Sequence, residues 1–185
     1  LPICKMNLRK EDSVLPTATY HNFFDFINFP NIGAAHLRYK NPDPLPHSQI
    51  PSHSSILKTL KEKDVLLSFP YQSYHYVIDL LRECSVDPKV TEISITVYRI
   101  SKNSAILNAL SSAVKNGKKV TIVVELQARF DEENNINAAN RLIEDGARVI
   151  YGVPGLKTHS KLLLIKRIEN GNPFLYAHAG TGNFN

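Results

Sequence analysis

The chain has 185 residues, 43% of them hydrophobic and 21% charged, with a net charge of +5. That balance excludes a disordered or collagen-like chain, and no run approaches the roughly 18 apolar residues of a membrane-spanning helix. The charge is uneven: residues 151–185 carry four basic side chains and one acidic. An anion site is therefore expected late in the chain. The two cysteines, Cys4 and Cys84, make no disulfide framework, and no signal-peptide pattern opens the chain. These features suit a reducing, cytoplasmic setting, with membrane association as an alternative. The bare start at Leu1 and stop at Asn185 suit a piece of a longer protein.

Residues 20–30 pack four Phe and one Tyr into eleven positions. Such a patch is expected to dock on something, with base stacking as the alternative; no Lys or Arg interleaves the rings, which disfavours the second. Four prolines between Pro42 and Pro51 preclude a helix and mark a connector. The expected organisation is 1–45 as the aromatic-rich tail of a preceding domain, 46–63 as linker and short helix, and 64–185 as the main domain.

Ser54 is placed to cap a helix running to Lys63, and Val65–Phe69 reads as a short buried strand. Ser73 caps a helix whose Val77, Leu80, Leu81 and Cys84 share one face. Cys84 is then a buried thiol. Ile93, Ile95 and Val97 alternate with polar residues as a strand does. Ile106, Leu107, Leu110 and Val114 make a helical face ended by Asn116-Gly117. Residues 120–126 form a strand apolar on both faces, which suits a central parallel position. Ile136, Ala139, Leu142 and Ile143 predict a helix, 148–151 a strand, and 162–165 a fully apolar strand. The last is paired with 174–177 across a turn at Asn170-Gly171-Asn172. The order β-α-β-α-β-α-β-β-β predicts a three-layer α/β domain with a mostly parallel sheet. In such sheets the ligand sits beyond the carboxyl ends of the strands.

Four clusters carry possible chemistry. In Lys157-Thr158-His159-Ser160-Lys161, a continuing strand would put 157, 159 and 161 on one side. Two ammonium groups disfavour a third cation between them, leaving His159 a nucleophile and the lysines free to hold phosphate oxygens. A solvated Lys-rich strand edge with an incidental His is the alternative, and the one these five residues alone favour. In the Gly180-Thr181-Gly182-Asn183 turn, backbone N–H groups can approach an anion and Asn183 adds an amide, or the turn is a plain loop. Arg99, after Tyr98, and Arg129, after the central strand, suit bidentate phosphate contacts. Alternatively Arg129 pairs with Asp131, Glu132 or Glu133, and Arg99 is a surface cation. The histidines at 21, 36, 47, 53, 75 and 178 match no metal-site spacing, although His178 lies near the glycine turn.

Taken together, Phe69-Pro70-Tyr71, Thr96-Val97-Tyr98-Arg99, the 123–132 run, Tyr151 to Lys161 and Gly180 to Asn185 resemble the long-form bacterial polyphosphate kinase family. The 20–30 stretch resembles the end of that family's head domain. The resemblance implies reversible transfer of the ATP γ-phosphate to polyphosphate through a phosphohistidine, on a phospholipase D-like fold. It implies His159 as the phosphorylated nucleophile, with Lys161 and Asn183 as phosphate-binding groups. Arg99 and Arg129 fall in the Mg²⁺–phosphate region; a guanidinium has no lone pair, so both read as phosphate clamps rather than metal ligands. ATP, ADP and polyphosphate are the implied partners, without nucleic acid, and the full-length protein is expected to be a homo-oligomer. The phospholipase D signature has an Asp five residues after its Lys, where this chain has Lys166. That disfavours the alternative of a phosphodiesterase or nuclease and is expected to raise the local positive charge. A non-catalytic polyanion-binding module is the other alternative. The fold works as two copies, each giving a His, and this chain carries one, so the isolated piece is expected to be catalytically incomplete.

Overall fold

The computed structural model describes residues 33, 36, 39–40, 42–51, 53–99, 104–125, 132–153 and 155–184. The aromatic run at 20–30, Cys4, Arg129 and its acidic neighbour Asp131 lie outside them. The chain divides into two compact units, Leu1–Asn41 and Pro42–Asn185. The second holds all the regular structure described below.

Helix α1 (Ile56–Glu62) begins one residue later than expected. Ser55, not Ser54, is its cap, its Oγ accepting from the Lys58 amide at 3.0 Å. Glu83, from the next helix, accepts from the amides of Ile56 and Leu57 at 2.8 and 3.3 Å, satisfying two more donors of that first turn. Ser54 instead donates to the Pro51 carbonyl. Helix α2 (His75–Val86) buries Val77, Leu80, Leu81 and Cys84 as its periodicity dictates. Burial pushes the Cys84 thiol up to about 12.

The segment 65–69 is not the strand its composition suggested. Leu66 is 85% exposed, and the Ser68 amide donates to the Gln72 side chain at 2.7 Å rather than to a ladder. The turn through Phe69, Pro70 and Tyr71 closes it, with a bond from the Leu45 amide to the Tyr71 carbonyl. Pro70 offers no N–H for sheet pairing.

The remaining elements are β1 (Val90–Val97), α3 (Ala105–Lys115), β2 (Lys119–Val124), α4 (Glu132–Glu144), β3 (Arg148–Tyr151), β4 (Lys161–Glu169) and β5 (Asn172–Gly180). They form one five-stranded sheet in the order β3-β2-β1-β4-β5. β1, β2 and β3 are parallel, β4 is antiparallel to β1, and β5 is antiparallel to β4. Four strands thus share a direction and β4 alone opposes it, so the sheet is mostly parallel. β2 occupies an inner position between two parallel partners, as its apolar run required. The β4–β5 hairpin turns on Asn170 and Gly171, both with positive φ, of 50° and 79°. Asn tolerates that region and Gly adopts it without a Cβ clash, which is why this pair suits a two-residue hairpin.

One sheet face forms the core. Ile93, Ile95 and Val97 of β1, Val120, Ile122 and Val124 of β2, Leu163 and Ile165 of β4, and Tyr176 of β5 are all buried. The two parallel crossovers step the same way across the sheet, so α3 and α4 cover this one face, and α2 packs on α3. The opposite face leaves Leu162, Leu164 and Leu175 exposed; among the described residues no helix supplies a layer there. Helix α4 departs from its expected face. Asn135, Ala138, Ala139 and Leu142 are buried, while Ile136 and Ile143 are exposed. A polar residue has taken the core position nearest the strand ends.

Candidate active site

The topology gathers three of the four clusters at one edge of the sheet. β1, β2, β3 and β5 end there, and β4, running the other way, begins there. Tyr98 and Arg99 therefore follow β1, Glu125 follows β2, residues 157–160 lead into β4, and the 181–184 turn follows β5. Lys161 pairs with Gly180 across the last hairpin, which sets the glycine turn beside the His159 segment.

The His159 segment is not strand; β4 starts only at Lys161. Thr158 is buried, His159 and Ser160 are both exposed and Lys161 is buried again, so burial here does not alternate as a strand's would, although Lys157, His159 and Lys161 all reach the Tyr98 ring. Two anchors hold this stretch. The Thr96 hydroxyl, at the end of β1, donates to the Ser160 carbonyl at 2.6 Å and accepts from the Leu162 amide at 2.9 Å. The buried carboxylate of Glu125 accepts from the Thr158 amide at 2.7 Å. Glu125 is itself fixed by its backbone. Its amide donates to the Val97 carbonyl, and its carbonyl accepts from Asn135 Nδ2 at 2.9 Å. The same Nδ2 donates to the Tyr98 carbonyl at 2.9 Å. A fully buried amide on α4 thus ties the ends of β1 and β2 together, and the second of these carries the acid that positions the residue before His159.

The cations converge on one ring. Lys161 Nζ stands 5.0 Å from the centroid of Tyr98, and Lys157 Nζ and the Arg99 guanidinium carbon each stand 5.7 Å from it. The His159 ring meets Tyr98 edge-to-face, with centroids 4.9 Å apart. Lys161, only 4% exposed, also donates to the His159 carbonyl at 2.6 Å. Burying an ammonium group is costly unless its donors are satisfied, so its position at this edge is purchased by these contacts.

Asn183 lies in the turn after β5, and its Oδ1 is buried without a hydrogen-bond partner among the described residues. The turn borders a cleft of about 850 Å³, lined also by Val65, Leu67, Phe69, Tyr74 and His178. Among the described residues no Lys or Arg lines this cleft, and His159 is not part of it. His178 does approach the glycine turn. A Cβ at position 180 would stand 3.1 Å from its Nε2, so Gly180 leaves the imidazole its room. Burial lowers the pKa of His178.

The structure thus brings His159, Lys161 and Arg99 together, while Asn183, three residues beyond the Gly180 that pairs with Lys161, lines the neighbouring cleft; Arg129 lies outside the described residues. Lys166 does not join them. It pairs with Glu92 at 3.1 Å near the start of β1, five residues along β4, so it adds no positive charge beside His159. Tyr98, Glu125 and Asn135 were not read as site residues from the sequence. A carboxylate ending an apolar strand and an Asn on the core stripe of a helix are the signals that mark the last two.

Arg99 offers no lone pair, and among the described residues no group of three His, Cys, Asp or Glu could hold a metal, so those residues alone do not make a Mg²⁺ site.

Cations around one exposed imidazole at the carboxyl edge of an α/β sheet are an arrangement chemically suited to phosphate groups. The family model for polyphosphate kinase C-terminal domain 1 matches residues 55–185, and the chain belongs to that family. It is 50% identical over 183 residues to the polyphosphate kinase of Escherichia coli strain K12, covering 98% of this chain and 27% of that protein. It is 49% identical over 180 residues to the polyphosphate kinase of Vibrio vulnificus strain YJ016, covering 97% and 26%. The crystal structure of polyphosphate kinase from Porphyromonas gingivalis superposes with a TM-score of 0.72 at 40% identity, over 92% of this chain and 29% of that one. The chain spans about a quarter of the length of the curated relatives it matches. No described helix is long and apolar enough to cross a membrane.

Proposed function

We propose that this chain is the nucleophile-bearing part of an ATP:polyphosphate phosphotransferase that works through a phosphohistidine at His159. The observation that carries this reading is the exposed imidazole of His159 set against the Tyr98 ring that Lys157, Lys161 and Arg99 also approach. In the first step an imidazole lone pair attacks the γ-phosphorus of ATP. The N–P bond forms, the bond to the β–γ bridging oxygen breaks, and ADP leaves with that electron pair. In the second step a terminal oxygen of polyphosphate attacks the same phosphorus and the N–P pair returns to the ring. ADP as acceptor reverses the sequence. Little covalent work falls to the protein, so positioning and charge stabilisation carry the catalysis.

In this reading Arg99 and Lys161 hold the phosphate oxygens, Asn183 donates its side-chain amide, and Arg129 takes the clamp role the family resemblance gives it. Magnesium belongs to the reading as an ion arriving on the nucleotide phosphates. The full-length protein is proposed to act as a cytoplasmic homo-oligomer, with the second catalytic half supplied by sequence other than these 185 residues.

The test is to incubate a full-length kinase carrying this chain with γ-labelled ATP and Mg²⁺. Acid-labile, base-stable label is expected on the protein and is expected to vanish in His159→Ala. Label undiminished in that variant, or none on the parent, would sink the mechanism. The 185-residue chain alone is expected to stay unlabelled. A His159→Ala protein that keeps polyphosphate binding and every activity would instead be a polyanion-binding module. Hydrolysis of phosphodiesters through the same His would identify a phospholipase D-type enzyme.

A further inference from the structure

We infer that Tyr98 is a positioning residue whose aromatic face gathers Lys157, Lys161 and Arg99 into one cluster beside His159 and thereby sets the affinity for a phosphate chain. The ammonium groups of Lys157 and Lys161, 5.7 and 5.0 Å from one ring centroid, repel one another, and something must offset that repulsion when no anion is bound. Among the described residues, neither Lys157 nor Lys161 makes an ion pair. The negative face of an aromatic ring attracts ammonium and guanidinium groups at these separations. A carboxylate in the same place would do so more strongly, but it would repel the substrate's phosphates and have to be displaced. The neutral ring holds the cations in place without opposing an incoming anion. Preorganised donors of this kind lose little when the charge arrives.

The edge-to-face contact with His159 gives the ring its second role. Aromatic pairs prefer this geometry, so the contact restricts the imidazole orientation that an exposed side chain would otherwise sample. The Tyr98 backbone is held from below by Asn135, so the platform has a fixed base. The cation-gathering role stands without the phosphohistidine; only the effect on His159 rests on the mechanism proposed above.

Replacing the Tyr98 ring in the full-length kinase separates these claims. Tyr98→Phe keeps the ring and is expected to stay within about twofold of the parent in KM for ATP and in pyrophosphate affinity measured by calorimetry. Tyr98→Leu is expected to weaken both about tenfold, with a further loss in kcat for labelling His159. Equal loss in the Phe and Leu variants would assign the effect to the hydroxyl and overturn the inference; so would parental values in both. Should Tyr98→Leu fail to fold, a series of increasingly fluorinated phenylalanines at position 98 keeps the shape and weakens only the ring's negative face. Pyrophosphate affinity is expected to fall stepwise along that series, and a flat series would overturn the inference. Pyrophosphate binding needs no phosphohistidine. If His159→Ala keeps its label while the fluorinated series falls stepwise, the nucleophile assignment fails and the role of Tyr98 survives.

Discussion

At the end of the sheet where β1 begins, cations are matched to carboxylates. Arg167 reaches Asp87 at 2.8 Å and Glu169 at 2.7 Å, Lys61 also pairs with Glu169, and Tyr176 donates to it at 2.7 Å. Lys166 and Lys119 share Glu92. At the carboxyl edge, Lys161 and Lys157 face an aromatic ring instead, and the nearby buried acid, Glu125, accepts from a backbone amide. Both ends carry basic residues on the same strand, β4, so the difference is one of partners rather than composition. Charges that balance one another hold the fold. Lys157 and Lys161, which make no ion pair among the described residues, are the charges left to meet an anion.

The largest expected effect that would break this comparison is at Lys161. Lys161→Met keeps the length and apolar stem of the side chain. Phosphoryl transfer in the full-length kinase is expected to fall about a hundredfold, because a preorganised group at the developing charge is lost. Thermal stability is expected to hold or rise, since a buried ammonium costs desolvation. A variant that loses stability and activity together would place Lys161 with the structural charges of the opposite end.

Asn135 comes next, because it joins the two descriptions. Asn135→Ala leaves the carbonyls of Tyr98 and Glu125 without their donor, and is expected to cost about 2 kcal/mol in denaturant unfolding. The Oδ1 that Asn135 itself buries, unpartnered among the described residues, offsets part of that loss. Transfer is expected to fall as well, since the end of β2 carries the acid that holds Thr158. Stability lost with kinetics unchanged would show that the ends of β1 and β2 keep their places without this amide.

These residues also mark how far the sequence could be read. Periodicity locates α2, α3 and β1 because each buries one face, and burial imposes a repeat, while β2 and β4 are legible as short apolar runs. The place of Arg99 beyond a strand's carboxyl end follows from strand order, whereas His159 and Lys161, which precede or open a strand, reach the same edge because β4 runs against β1. Segment 65–69 misled because apolar content does not say where backbone hydrogen bonds go, and here a Gln72 side chain took one of them. Asn135 and Glu125 were silent because their work is with backbone groups of residues 10 to 37 positions away. Tyr98 was quoted only as the neighbour of Arg99, since nothing in a linear pattern shows three cations converging on one ring. Lys166 misled for the converse reason: closeness in sequence along an extended strand is distance in space, roughly 17 Å over five residues.

The smallest expected effect tests the paired end by pH. Hydrogen bonding from Lys61, then from Tyr176 and Arg167, lowers the Glu169 carboxyl from its ordinary value of 4.5 to about 2. Burial alone would raise Asp87, but the Lys89 amide and the Arg167 guanidinium outweigh it and lower it too. A carboxylate with a depressed folded-state pKa contributes stability that is fully present above its unfolded value and is lost as pH falls through the folded one. The melting temperature is therefore expected to decline between about pH 4.5 and pH 2 and to be nearly level from pH 5 to 7 on account of these two groups. Glu169→Gln removes one titrating partner and is expected to lower the melting temperature at pH 7 by about 3 °C while flattening the acid decline. An unchanged acid decline in that variant would mean the Glu169 pairs are surface decoration, and the contrast between the two ends would rest on Asp87 and Arg167 alone.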